Sequence, residues 1–249
     1  MRGVVVTAPM PCRSVMALLT VVAIGCGSRT GLDVARDAAV DADEDLSPLG
    51  LSVAFYASTS ADDPTAVASA NGLIWASDGR RPMPGGGGGR GYVLAMGESV
   101  SINGTALRGG FADWGYTYQA ARVLVPTDGV WVFRFVLRGR TIVRRVELRP
   151  VRWVGFPSAP VSIGAGVTLR WTPALPADTR RQGYLTSCVR NDSREVGLSE
   201  MTFRGALSAN PCMSHAIMTA VREVGLGAPF GEGSLAVSTG LDRELRVVP

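Results

Sequence analysis

A chain of 249 residues, 46% of them apolar, is long enough for one large domain or two small ones and too apolar to be disordered throughout. All 25 basic residues are Arg, which excludes a lysine Schiff base and a Walker-type phosphate loop. The net charge of +4 hides an imbalance: residues 26–50 carry six acids against Arg29 and Arg36, whereas residues 51–249 carry 21 Arg against 15 acids, scattered rather than clustered, which argues against nucleic acid.

Met1 to Ser14 is a loose leader containing Arg2 and Arg13. Val15 to Ile24 is a ten-residue apolar run. It is too short to span a bilayer, which takes roughly 20 residues. It has the length of a signal-peptide core, with Arg13 as its positive flank. The run ends in Ala23-Ile24-Gly25-Cys26, which resembles the lipobox of bacterial lipoproteins. That resemblance implies cleavage before Cys26 and lipid, palmitate included, on its sulfur. It also implies attachment to a membrane of the cell envelope. Gly27-Ser28 lacks the Asp associated with inner-membrane retention, so the outer membrane is expected.

Residues 1–25 are thus read as signal peptide, and residues 26–50 as the lipidated cysteine and a flexible acidic linker. Asp41 to Asp45 is acidic, but it lacks the glycine turn and ligand spacing of a calcium loop. From Leu51 the patterning turns to strands. Ser52 to Tyr56 alternates, and Leu73 to Ala76 is a short candidate. The glycine run Gly85 to Gly89 reads as a surface loop. Tyr92 to Met96 and Ser99 to Asn103 read as extended, and Asn103-Gly104 is a strong hairpin signal.

The clearest strand is Val130 to Arg138, with Trp131, Phe133, Phe135 and Leu137 on one face. A face that heavy predicts packing on a second sheet. Arg138-Gly139-Arg140 turns the chain, and Thr141 to Leu148 returns. Arg144 shares a side with Ile142 and Val146, so either it guards a sheet edge or the register slips there. Pro150 to Pro160 reads as a junction. Beyond it, Val167 to Trp171 alternates, and Tyr184 to Val189, Met201 to Phe203, Ser234 to Ser238 and Glu244 to Val248 read as strands. Met213 to Val224 fits a helix face or a strand, and the β context favours the strand.

Four cysteines are present. Cys12 leaves with the leader and Cys26 takes lipid. Cys188 and Cys212 remain in an oxidising compartment, so a disulfide between them is expected. Closing a loop of that size stabilises by roughly 3 kcal/mol in the chain-entropy account. The alternative is a reactive thiol or metal pair.

Val167 to Pro173, followed by Tyr184, resembles the second and third strands of fibronectin type III and related immunoglobulin-like domains. The resemblance implies a strand-borne Trp171 plugging a sandwich core. The expected fold is therefore all-β, with two immunoglobulin-like β-sandwich domains at 51–150 and 151–249. Gly97 to Gly104, Asp128 to Phe133 and Val146 to Pro150 are also similar to uncharacterised exported bacterial lipoproteins.

His215 is the one histidine. A Ser-His-Asp constellation would have to use it, with Ser214 as its sequence neighbour. No Gly-x-Ser-x-Gly elbow occurs, ligands for zinc are scarce, and Asp192, Glu195 and Glu200 read as a loop cluster. No cofactor or metal is expected. Trp114, Tyr116 and Tyr118 alternate within Ala112 to Tyr118. They read as an aromatic ligand-binding platform or as core. The expected role is a noncatalytic, membrane-anchored envelope protein with an envelope protein or polysaccharide as partner. The alternative is an exported hydrolase.

Overall fold

The computed structural model describes residues 47–59, 67–79, 81, 91–112, 115–186, 189–207 and 211–249, with 189–195 and 206–207 as backbone. The apolar leader, Cys26, the acidic run Asp41 to Asp45, the glycine run, Trp114 and Cys188 lie outside them.

The described residues form sixteen strands and no helix, so the fold is all-β. In chain order these are β1 (Leu51–Thr59), β2 (Val67–Ala76), β3 (Ser99–Ile102), β4 (Thr105–Ala106), β5 (Arg108–Ala112), β6 (Gly115–Leu124), β7 (Val130–Leu137) and β8 (Arg140–Glu147). There follow β9 (Arg152–Val154), β10 (Val161–Ser162), β11 (Val167–Thr172), β12 (Arg180–Leu185), β13 (Val189–Val196), β14 (Glu200–Leu207), β15 (Cys212–Gly225) and β16 (Gly233–Val248).

Two hairpins follow directly from their turn residues. Asn103-Gly104 joins β3 to β4 and Arg138-Gly139 joins β7 to β8, all four residues at positive φ. Two-residue loops of that kind match the twist of the strands they connect. The heavy face of β7 is fully buried at Trp131, Phe133, Phe135 and Leu137. The indole of Trp131 donates to the Leu148 carbonyl at 2.9 Å, so its one polar group is satisfied inside the core.

The strands make three sheets. A large one runs β12-β15-β16-β1-β2-β6-β5, with β10 beside the end of β16. The first small sheet is β4-β3-β7-β8 and the second is β13-β14-β11-β9. Both small sheets cover the same face of the large one. Phe55 of β1 meets Phe135 of β7 edge to face, 5.4 Å between centroids. Across the large sheet, Phe55 stands opposite Leu235, Leu235 opposite Val224, and Met218 of the same strand opposite Gly183. Directly opposite residues share a face. A Cβ at Gly183 would run against Met201 of β14 and Val196 of β13, so the second small sheet lies on that face too.

One buried cluster takes side chains from all three sheets, and the described residues belong to one compact unit. The expected boundary at 150/151 does not divide the sheets. β1 and β16, from opposite sides of it, pair in parallel through Val53↔Gly233 to Ser58↔Ser238. Apolar strands on each side of the Pro-rich stretch bury against one another, so the break in patterning at Pro150 to Pro160 marks a change of sheet. It even holds the short strand β9.

Several local expectations change. Residues 47–50 belong to the body rather than to the linker, and Leu49 is buried in the core. β2 starts at Val67, six residues before the expected candidate, and β16 is one strand of 16 residues rather than two short ones. Tyr92 to Ala95 runs outside any strand. Tyr184 to Val189 divides between β12 and β13. Met213 to Val224 is a strand, as the β context favours. Arg144 is 1% exposed and sits in register between Ile142 and Val146, so there is no slip. It projects inward from the edge strand β8, and its guanidinium donates to the carbonyls of Val143 (2.9 Å) and Ala228 (3.1 Å).

Candidate functional site

Ser47 is the first of the described residues, and the β7–β8 turn holds the chain there. Arg140 Nη1 donates to the Ser47 carbonyl at 2.8 Å, and Arg138 Nη1 donates to the Leu49 carbonyl. Gly50 follows at φ 66, a backbone conformation that glycine reaches without strain. Leu51 then stands opposite Ala76, so the start of β1 and the end of β2 define one end of the large sheet, the entry end.

Glu98 organises the loop beside this turn. Its carboxylate accepts from the amide of Ala95 (2.8 Å), the amide of Arg138 (2.7 Å) and the hydroxyl of Tyr92 (2.9 Å). Burial pushes the Glu98 carboxyl up, but the two backbone amides and the Tyr92 hydroxyl outweigh it. The net result lies below the usual carboxylate value. The amide of Glu98 closes the turn by donating to the Ala95 carbonyl at 3.0 Å. Met96, at the tip, is fully exposed, and Val93 is 54% exposed.

The aromatic residues reach the same end. Gly72 stands opposite Tyr118, so the start of β6, and with it the end of β5, lies beside the end of β2 at the entry end. Of the three expected platform residues, Trp114 lies outside the described residues. Tyr116 and Tyr118 do share a face, but it is the core face. Tyr118 is 1% exposed; its hydroxyl donates to the Tyr92 carbonyl at 2.7 Å and accepts from the Leu94 amide at 3.0 Å. Burial pushes its pKa up to about 12. Tyr118 is therefore structural, and Tyr116 is half-buried against it, 5.5 Å between ring centroids. The exposed aromatic here is Phe111 on the edge strand β5, 87% exposed and edge-on to Tyr116 at 5.1 Å. Sequence alternation places Tyr116 and Tyr118 together correctly. It carries no signal for which face is inside, nor for Phe111, which stands across the hairpin from Tyr116.

The other sequence candidates do not assemble. His215 Nδ1 pairs with Asp242 at 2.9 Å on the exposed face. Ser214 is buried on the opposite face, and its hydroxyl donates to the Thr186 carbonyl. Glu200 accepts from Arg170 Nε at 3.0 Å, and the side chains of Asp192 and Glu195 lie outside the described residues. Among the described residues no three His, Cys, Asp or Glu stand together as a metal site. Trp171 is buried, its indole donating to the Leu198 carbonyl at 3.0 Å. Cys212 is half-buried against the core, and Cys188 lies outside the described residues. No protein-family model matches this chain, and no curated protein matches it.

Proposed function

We propose that this chain is a lipid-anchored protein of the bacterial cell envelope, held in the outer membrane through Cys26 and presenting a noncatalytic β body for binding or assembly. The observation that carries the proposal is the apolar run Val15 to Ile24 closing on Ala23-Ile24-Gly25-Cys26. A doubly or triply acylated cysteine gives firm attachment where one chain alone does not. The all-β body and the core position of Trp171 support immunoglobulin-like, sandwich-type packing as its architecture. Cys188 is the proposed partner of Cys212.

Replacing Cys26 with Ala tests the anchor. The variant is expected to move from the detergent phase to the aqueous phase in a phase-separation assay, and the mature wild-type mass is expected to carry the added acyl groups. Unchanged partitioning of the variant would overturn the proposal.

A further inference from the structure

The entry end of the body gathers three exposed apolar side chains. Met96 stands at the tip of a turn held by Glu98, Val93 lies just before that turn, and Phe111 stands on the edge of the same end of the large sheet. The chain leads from this end back to Cys26. We infer that the entry end is a membrane-contact surface, at which Met96, Val93 and Phe111 insert into the interface of a zwitterionic lipid leaflet. The inference rests on the lipid anchor proposed above and adds where, and by what chemistry, the body meets the bilayer.

Geometry selects this end. The roughly 20 residues between Cys26 and Ser47 span at most about 70 Å, and any shorter path brings the entry end down first. β16 starts at the entry end, with Gly233 opposite Val53, and runs on to Val248. At about 3.3 Å per residue, its far end stands some 40–50 Å away. Tethering also raises the local concentration of the contact to the millimolar range, so a few apolar side chains suffice. The turn that carries Met96 is fixed before contact by three hydrogen bonds to one carboxylate, so little freedom remains to be lost on insertion.

Charge selects the lipid. The guanidiniums of Arg138 and Arg140 keep their charge while donating to the neutral carbonyls of Leu49 and Ser47, but the four acids that precede Ser47 outnumber these two. Asp41, Asp43, Glu44 and Asp45 immediately precede this point in the chain. An anionic leaflet would repel those acids, whereas a zwitterionic one accepts the apolar side chains without that cost.

The test uses the full mature lipoprotein carrying Met96→Cys, labelled with a bimane fluorophore and reconstituted through its own lipid into phosphatidylcholine vesicles. Tyr184→Cys, on β12 opposite Ile217, supplies a control nearer the far end of β16. The label at 96 is expected to shift to the blue and lose intensity with spin-labelled lipid, and the label at 184 is expected to do neither. Replacing part of the lipid with phosphatidylglycerol is expected to weaken the quenching at 96. Protein that floats with the vesicles while 96 behaves like 184 overturns the membrane contact alone. Stronger quenching with phosphatidylglycerol overturns the zwitterionic assignment. Protein that does not float overturns the anchor, and this inference with it.

Discussion

Gly72 shows how a single residue without a side chain can place a core. It sits on β2 between Phe55 on one side and Tyr118 on the other. The Phe55 ring lies over it, where a Cβ would run into the ring. Gly72→Ala is therefore expected to lower stability by about 1–3 kcal/mol, the range for overpacking a filled core. Adding Phe55→Leu should recover part of that loss in urea denaturation; full additivity of the two losses would argue against contact. None of this is legible in Asn71-Gly72-Leu73. Glu98 is equally silent in sequence, because Arg138, whose amide it accepts from, lies 40 positions along the chain from it. Its folded pKa lies below its ordinary value of 4.5. In the unfolded chain it therefore takes up its proton first as pH falls. Its stabilisation is complete above that ordinary value and is lost as pH drops through the folded one. The stability difference between wild type and Glu98→Gln is expected to be largest near neutrality and to shrink below pH 4.5. A difference independent of pH would rule out a role for the charge.

At the scale of elements, β7 and β8 were readable because a β-branched and aromatic alternation coincides with a two-residue turn. β2 was only partly readable. Ala68 to Gly72 is made of small and polar residues with weak strand preference, and it is extended because β1 and β6 pair on both sides of it. The sequence reads as two strands, Ser234 to Ser238 and Glu244 to Val248, but β15 pairs with β16 without interruption from Val247 to Ser234. Arg144 looked like a fault in the pattern of β8 and is instead a buried charge on an edge strand. An inward-pointing charge tolerates the native packing, where carbonyls receive it, and disfavours pairing with a foreign strand. Arg144→Ala leaves the Ala228 carbonyl without this donor and is expected to cost about 2–3 kcal/mol. Arg134→Ala, on the exposed face of β7, is expected to change stability by less than about 0.5 kcal/mol. Equal losses for the two variants in thermal unfolding would contradict the buried role.

For the whole molecule, the all-β class follows from composition and alternation, while the arrangement of sheets does not. Strand pairing between β1 and β16 joins residues about 180 positions apart, and no local pattern encodes such a partner. The large sheet is consequently shared between the two halves of the chain. Cutting at 150/151 would strip β1 from the side of β16 and expose Leu235 and Val237. It would also deprive Phe55 of Leu235 beside it, leaving each half with an open, apolar sheet edge. Residues 47–150 and 151–249, expressed separately, are each expected to lack a cooperative thermal transition. Mixed after co-refolding, they are expected to recover one, because the native partner then satisfies both edges. The intact chain should unfold in one transition when followed by far-ultraviolet circular dichroism and by tryptophan fluorescence, with coincident midpoints. If either half melts cooperatively alone at a temperature near that of the intact chain, the shared sheet contributes little, and the boundary near residue 150 regains its meaning as a domain border.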